Sequence, residues 1–373
     1  MRFSEALRSA DWVIVGAAGL LASIGLAMLA SATDSGQALS PLLYRQAIAL
    51  VLGFIVILLT MKIPYHNWKR IAPVLFVVGV VSQIGLAIVG RAIRGTVSRL
   101  DLFGFQIQPS EFVKVALVLV LAYVLSKYGR IGWKQIAITF GIIAVPIFLV
   151  LQEPDLGMAA LMTSVWIGML IVFGLPFRTF IAICLIGSLA FAGAWHGLLF
   201  DYQKKRILTF LHPTADPLST GYNVTQSIIA LGSGQIFGRG LGHGPQSQLK
   251  FLPEQHTDFI LASVGEELGF VGIGLICILY GVLLWRVIRI VRSVDDPFAQ
   301  LLGTGAFFLI ITGFTVNAGM NMGLLPVTGI PLPFISYGGS NLLTSCFLLG
   351  LVESVKIHSK FTQQAPGELS SFL

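Results

Sequence analysis

Apolar runs of about twenty residues alternate with short polar joints, and the pattern repeats about ten times along the chain. Runs of that length fit helices crossing a ~30 Å hydrocarbon layer at ~1.5 Å per residue. A spanning strand needs only about ten residues and an in-out alternation that these runs lack. Spans are predicted near 12–32, 42–60, 71–90, 111–127, 134–151, 155–173, 178–197, 259–285, 299–320 and 340–357. Inside lipid every backbone amide must be satisfied within its own segment. The expected fold is therefore an all-α polytopic membrane protein of about ten transmembrane helices, with a long extracytoplasmic loop between helices 7 and 8. Residues 1–360 read as one membrane domain and 361–373 as a polar tail, either native disorder or added residues, with no function assigned. The charged start, Met1–Arg8, precedes an apolar run that is long and lacks a small-residue cleavage site, so the first span is expected to be retained.

Composition agrees with the pattern: 55% of residues are hydrophobic and only 11% charged, against roughly 25% charged in soluble domains. A soluble enzyme is excluded. The net charge of +7 is spread over joints rather than gathered in a basic domain, which argues for membrane topology and anionic lipids, not nucleic acid. Lys and Arg are more frequent on the side that carries both termini, placing that side in the cytoplasm. Cys184, Cys277 and Cys346 lie in apolar runs and read as small core residues without disulfide or metal spacing. No HExxH, Walker, GxGxxG or GxSxG pattern is present.

Several polar clusters interrupt the apolar pattern. Glu111 and Lys114 share a helix face, and charges so near hydrocarbon either pair or mark a substrate path. Gln108-Pro109-Ser110 before them reads as a helix start with Ser110 as a cap. In the turn Glu153-Pro154-Asp155, Asp155 either caps the next helix or adds a carboxylate to an outer cavity. Gly329–Ser340 breaks a would-be helix before the last span. Irregular backbone at that depth belongs beside protein or a cavity, so this loop is expected to line the site, with Tyr337 packing there or touching ligand.

The long loop opens with the basic run Lys204-Lys205-Arg206, and Thr225–Gly232 reads as a short helix on or in the membrane surface. A glycine-rich passage from Gly232 to Gly244, carrying Arg239 and His243, reads equally as a hinge or as a nest of amides for an anion. The loop ends in Glu254-Gln255-His256-Thr257-Asp258, directly before a long apolar helix, which places Asp258 in the first helical turn. There it is either a carboxylate stabilised by the helix dipole or a general base at a cavity mouth, with Glu254 and His256 as weaker candidates. Glu266 and Glu267, ~12 Å further along the helix, are expected to face protein or a wet crevice. Arg91, Arg94 and Arg99, together with Lys204–Arg206, suit either a pyrophosphate or ordinary anionic headgroups.

In this order the segments resemble the SEDS family of shape, elongation, division and sporulation proteins over nearly the whole chain, nearer its RodA branch than its FtsW branch. The resemblance is carried by Phe105–Lys114 with its QPSE core, Gln152–Gly157, Asp216–Gln226, Gln246–Gly269 with an HTDF core, and Asn317–Ser340 with an SYGG core. It implies a peptidoglycan glycosyltransferase of the bacterial inner membrane, acting on the extracytoplasmic face in cell elongation and rod-shape maintenance, beside a class B penicillin-binding protein. It also implies that Asp258 matches the family's essential loop aspartate, and that Glu111, Lys114 and Asp155 match its cavity residues. Two positions depart from the family. Ser98-Arg99 precedes Leu100-Asp101 where Arg-Trp is usual, and Asn341 replaces the small Ser or Ala that usually follows Gly-Gly-Ser.

On this reading the substrate is lipid II. Asp258 deprotonates or orients the acceptor 4-hydroxyl, and one inverting displacement gives a β-1,4 bond. Lys204, Lys205, Arg206, Arg239 or a divalent cation, Mg²⁺ or Mn²⁺, would meet the charge on the departing polyprenyl pyrophosphate, although no ligand cluster demands a metal. A lipid II flippase and a noncatalytic scaffold are the rivals. The large outer loop ending in Asp258 favours chemistry, and a scaffold would leave Glu111, Lys114 and Asp155 without a shared purpose.

Overall fold

The computed structural model describes residues 3–33, 41–89, 100–102, 105–129, 131–153, 155–197, 200–211, 220–249, 251–252 and 254–364. Ten helices take up the ten predicted spans: α2 (Trp12–Thr33), α3 (Pro41–Lys62), α4 (Tyr65–Val89), α5 (Pro109–Leu125), α6 (Trp133–Gln152), α7 (Leu156–Val172), α8 (Phe177–Gly197), α12 (Ile260–Arg292), α13 (Pro297–Asn321) and α14 (Gly339–Gln364). A short α1 (Phe3–Ser9) precedes them, and α9 (Asp201–Leu211), α10 (Thr220–Ser233) and α11 (Pro245–Gln248) lie in the long loop. The antiparallel hairpin of β1 (Leu100–Leu102) and β2 (Phe105–Ile107) was not expected. Helix α14 runs four residues into the predicted tail; 365–373 lie outside the described residues, as do Arg91, Arg94, Arg99 and Lys250.

Eight of these helices are long and apolar enough to cross a membrane by themselves. The other two spans, α5 and α7, have 17 residues each, or ~26 Å. Helix α5 tolerates this because it is buried along most of its length, against α4, α13, α6 and α14, and so meets protein rather than lipid. Pro109 at its first position needs no amide partner, and the preceding Gln108 is extended. Ser110 does not cap: its hydroxyl is buried and unpartnered, and the Gln108 N–H donates instead to Ser340 Oγ at 3.2 Å. Helix α8 is the opposite case, a full-length span with no buried residue. Its Cys184 is exposed, as is Cys277 on α12, so only Cys346 is the core residue expected of all three.

Helix α12 is longer than predicted, at 33 residues, and breaks at Gly269 (φ 67°, ψ −162°). The glycine-rich passage repairs the break. Arg239 and Gly240 N–H donate to the carbonyls of Glu266 and Glu267, both at 3.0 Å, while Phe270 and Val271 N–H donate to Gln235 O at 2.9 Å and Ile236 O at 3.1 Å. Such an exchange is what lets irregular backbone persist at membrane depth. The passage and the short α11 that follows it meet anions, but internal ones. Glu266 accepts from Gln246 N–H at 2.8 Å, Ser247 N–H at 3.0 Å and Ser247 Oγ at 2.6 Å. Glu267 accepts from Gly242 N–H at 3.2 Å and Ser31 Oγ at 2.5 Å. Both glutamates are buried and face protein rather than a wet crevice.

At the end of the bundle that carries α1, buried Asp11 pairs with Arg286 of α12 and, at 3.1 Å, with Lys356 of α14. Its backbone N–H donates to Glu353 at 2.8 Å. One carboxylate thus ties three spans together, and the cavity opens at the other end.

Candidate active site

A cavity of about 940 Å³ lies among α3, α5, α7, α13 and α14. Leu161, Leu309, Ile310 and Leu348 line its apolar part; Glu111, Lys114, Glu153, Asp155, Arg45, Arg206, Glu254, His256, Asp258, Tyr337 and Asn341 line the rest. This is near the upper end of the ~300–1,000 Å³ usual for small-molecule sites. Of the residues singled out in the sequence, Glu111, Lys114, Asp155, Arg206, Glu254, His256, Asp258 and Tyr337 meet here. Lys204, Lys205 and Arg239 do not line it; Lys205 and Arg239 are exposed, and the Arg239 guanidinium donates to Ser233 Oγ at 3.3 Å.

Asp258 stands just before the helix rather than in its first turn, because α12 begins at Ile260 with Phe259 as its cap residue. A tight turn holds it, opened by Glu254 at φ 52° and closed by Thr257, Asp258 and Phe259 N–H donating to Glu254 O at 3.1–3.3 Å. Three successive carbonyls of this turn are then pinned from outside. His256 O accepts from Tyr337 N–H at 2.8 Å, and Thr257 O from Ser336 Oγ at 2.6 Å. Asp258 O accepts from Asn317 Nδ2 at 3.0 Å and Asn321 Nδ2 at 2.9 Å. With the main chain fixed on this side, the Asp258 side chain lines the cavity, its Oδ2 lying 3.7 Å from where a Cβ on Gly329 would stand.

The 329–338 loop that supplies two of these pins is itself held. Gln46 of α3 donates to Ser336 O at 3.4 Å and accepts from Gly338 N–H at 3.2 Å. Ser336 Oγ accepts from Leu332 N–H at 2.8 Å, and Asn317 Nδ2 also donates to Ile330 O at 2.9 Å. Gln46, Asn317 and Asn321 were not singled out in the sequence, although isolated Asn and Gln in apolar runs were a usable signal, and Ser336 was read only as part of the loop expected to line the site.

Glu111 and Lys114 form a buried ion pair at 2.5 Å. Thr344 Oγ1 adds a bond to Glu111 at 3.1 Å, and Lys114 donates to Asn341 Oδ1 at 3.2 Å. Asp155 caps α7, accepting from Met158 N–H at 2.9 Å, and also lines the cavity, so both of its predicted roles coexist. Glu153 was passed over in the sequence. It is 5% exposed, and burial pushes its carboxyl up to about 7, the charge of Asp155 adding to the rise and the Gln83 amide opposing it. Gln83 does not close a well-formed hydrogen bond to it, since both carboxyl oxygens and both Gln83 amide atoms are buried without one. Among the described residues no group of three His, Cys, Asp or Glu side chains is arranged to hold a metal.

Fold and site together define a multi-pass membrane protein with a carboxylate-rimmed, partly charged cavity set into an apolar bundle. The chain belongs to the cell cycle protein family of FtsW, RodA and SpoVE, whose sequence pattern matches residues 6–361. It is 34% identical over 348 residues to the peptidoglycan glycosyltransferase MrdB of Escherichia coli K12, covering 93% of this chain and 94% of the relative. It is 36% identical over 371 residues to stage V sporulation protein E of Bacillus subtilis, covering 95% and 98%. Among solved structures it resembles a chain from a study of how a peptidoglycan synthase complex coordinates polymerization and crosslinking (TM-score 0.80, 29% identity, 94% of this chain and 98% of that one). It also resembles the rod shape determining protein RodA of Thermus thermophilus (TM-score 0.71, 28% identity, 94% and 97%).

Proposed function

We propose that this chain is a peptidoglycan glycosyltransferase that polymerises lipid II, with Asp258 as the base. The observation that carries the reading is the pinning of the Asp258 turn by Tyr337, Ser336, Asn317 and Asn321 at a cavity that also holds the Glu111–Lys114 pair. A general base needs this kind of fixed placement, since proton transfer requires hydrogen-bond reach. The Asp258 carboxylate accepts the proton of the acceptor 4-hydroxyl. The hydroxyl oxygen bonds to the donor's anomeric carbon from the face opposite the pyrophosphate, and the anomeric C–O bond breaks with its electron pair leaving on the pyrophosphate. Inversion gives a β-1,4 link. Polyprenyl pyrophosphate is a good leaving group, so cationic partners rather than a second acid are required, and Arg45, Lys114 and Arg206 are those lining the cavity.

The protein is a multi-pass protein of the bacterial inner membrane. The end carrying α1 and the Asp11 network faces the cytoplasm and the cavity faces outward, in keeping with the excess of Lys and Arg at the first end. A class B penicillin-binding protein is the expected partner, supported by the structural relative that belongs to a synthase complex. The test is glycan polymerisation by purified protein given lipid II, with Mg²⁺, Mn²⁺ or chelator, with and without such a partner lacking its own transferase. Asp258→Ala should make no polymer while still folding and binding lipid II. Polymer from that variant would remove Asp258 from the chemistry, and wild-type protein that transports lipid II without polymerising it would restore the carrier reading.

A further inference from the structure

Asn341 is 5% exposed and lies in the cavity wall, one of the two positions where the chain departs from the family it resembles. Its Oδ1 accepts from the Lys114 ammonium at 3.2 Å. A lysine can only donate, so this contact fixes which way round the amide sits. The Nδ2 donor is thereby turned away from Lys114, and it is buried with no acceptor among the described residues. A buried donor without a partner is costly unless a ligand supplies one. Lys114 spends two of its three N–H groups, on Glu111 and on Asn341. The ion pair and the Thr344 hydroxyl offset the Glu111 charge. What remains is a pair of adjacent donors with no matching acceptor, and such a pair suits a group that only accepts.

The place of the pair in the cavity narrows the ligand. Leu348 lies seven residues further along α14 than Asn341, ~10 Å deeper, and Leu309 lies twelve residues before Asn321, ~18 Å deeper than the amide that holds Asp258. The cavity thus offers an apolar wall below the donor pair and the Asp258 carboxylate on the same lining, the three surfaces that a lipid-linked sugar needs for its tail, its diphosphate and its saccharide. We propose that Asn341 Nδ2 and Lys114 Nζ together receive the diphosphate of the lipid-linked donor. The inference rests on the glycosyltransferase reading for the identity of the lipid, and Asn341 acts as a binding residue that sets how deep the donor sits.

The experiment compares wild type with Asn341→Asp and Asn341→Leu in nanodiscs of phosphatidylcholine, with undecaprenyl diphosphate as the probe and undecaprenol as the control. Asn341→Asp keeps the oxygen on Lys114 but loses the donor; Asn341→Leu is uncharged and loses both. Loss of the donor is the effect the two share. Both should bind undecaprenyl diphosphate about tenfold more weakly, with undecaprenol unchanged. Affinity is read as the ligand-induced rise in melting temperature relative to each variant's own ligand-free protein, so lower stability cannot mimic weaker binding. Wild-type affinity in either variant overturns the proposal. So does displacement of the probe from wild type by phosphatidylglycerol added to the nanodisc, which would assign the donors to ordinary anionic headgroups. Polymerisation by wild type is measured separately: its absence would sink the glycosyltransferase reading while leaving the diphosphate result readable.

Discussion

Asn321→Ala separates stability from catalysis at the turn that carries Asp258. The substitution removes an amide that donates to Asp258 O at 2.9 Å and accepts from Ala262 N–H at 3.0 Å. Asp258 O keeps Asn317 Nδ2 at 3.0 Å and Ala262 N–H keeps Phe259 O at 3.1 Å, but Asn321 Nδ2 also donates to Asn317 O at 2.8 Å and Asn317 Oδ1 at 3.3 Å, and the buried Asn317 Oδ1 loses its donor. The loss of stability is therefore the bonds to Asp258 and Ala262 at ~1 kcal/mol each, ~1–3 kcal/mol for the stranded Asn317 Oδ1 and a small cavity, about 5 kcal/mol in all. Activity should fall as well, even in protein that stays folded. One of the two amides on the Asp258 carbonyl is gone, and a displacement of ~1 Å at a reacting group costs about 100-fold in rate. Polymerisation of labelled lipid II, measured well below the melting temperature, should show kcat lower by about 10- to 100-fold. KM should stay within about twofold, because Asn321 holds the backbone rather than the substrate. Asn317→Ala should behave alike, and the double variant should lose more than the product of the two, since each single change leaves one anchor in place. A wild-type kcat in folded Asn321→Ala, or a defect confined to KM, would refute the anchoring argument.

Glu153 gives a prediction in pH. Its carboxyl is raised from 4.5 to about 7, so the folded chain keeps a proton that the unfolded chain releases; its contribution to stability is full in acid and is lost as pH rises from about 4.5 through about 7. Asp155 is the charged neighbour on that turn and Gln83 is uncharged, so Glu153→Gln should raise stability near pH 8 by about 3 kcal/mol and flatten the melting profile; an unchanged profile would show that the carboxyl is not sealed. Gly269→Ala should lower stability by about 3 kcal/mol or more, because φ 67°, ψ −162° is a glycine conformation and a Cβ would come within 2.3 Å of Gly238 N; a wild-type melting temperature would contradict the described break. Lys114→Met should cost about 3–5 kcal/mol by stranding Glu111, while Lys114→Met with Glu111→Gln should recover most of that stability but not activity, and recovery of activity would make the pair structural only.

The number and order of the spans were readable because hydrophobic length is a strong signal, and all ten predicted segments became helices. Facing was not readable. Lipid and protein core are both apolar, so nothing in Cys184, Cys277 and Cys346 distinguishes two outward residues from a buried one. The break at Gly269 hides in an apolar run, since a single glycine there is also compatible with an unbroken helix. Glu266 and Glu267 were correctly expected to avoid lipid, but their partners are Gln246 and Ser247 of α11, Gly242 of the glycine passage and the distant Ser31, and only the folded chain brings these together. Seven of the eight converging site residues come from a span end or the broken loop at the cavity; the eighth, Arg206, is brought there by α9 of the long loop. Lys204, Lys205 and Arg239 were drawn in by charge alone, and charge does not fix direction.

The turn that bears Asp258 precedes the last three spans in the chain, but its carbonyls are fixed by Asn317, Asn321, Ser336 and Tyr337, all made later. During synthesis the carboxylate therefore enters the membrane region before any of the groups that aim it. A nascent chain ending after α12 would have the proposed base without its geometry, so on that assignment the protein stays inert until α13 and the loop before α14 are in place. Catalytic competence is in this sense a report on completed insertion.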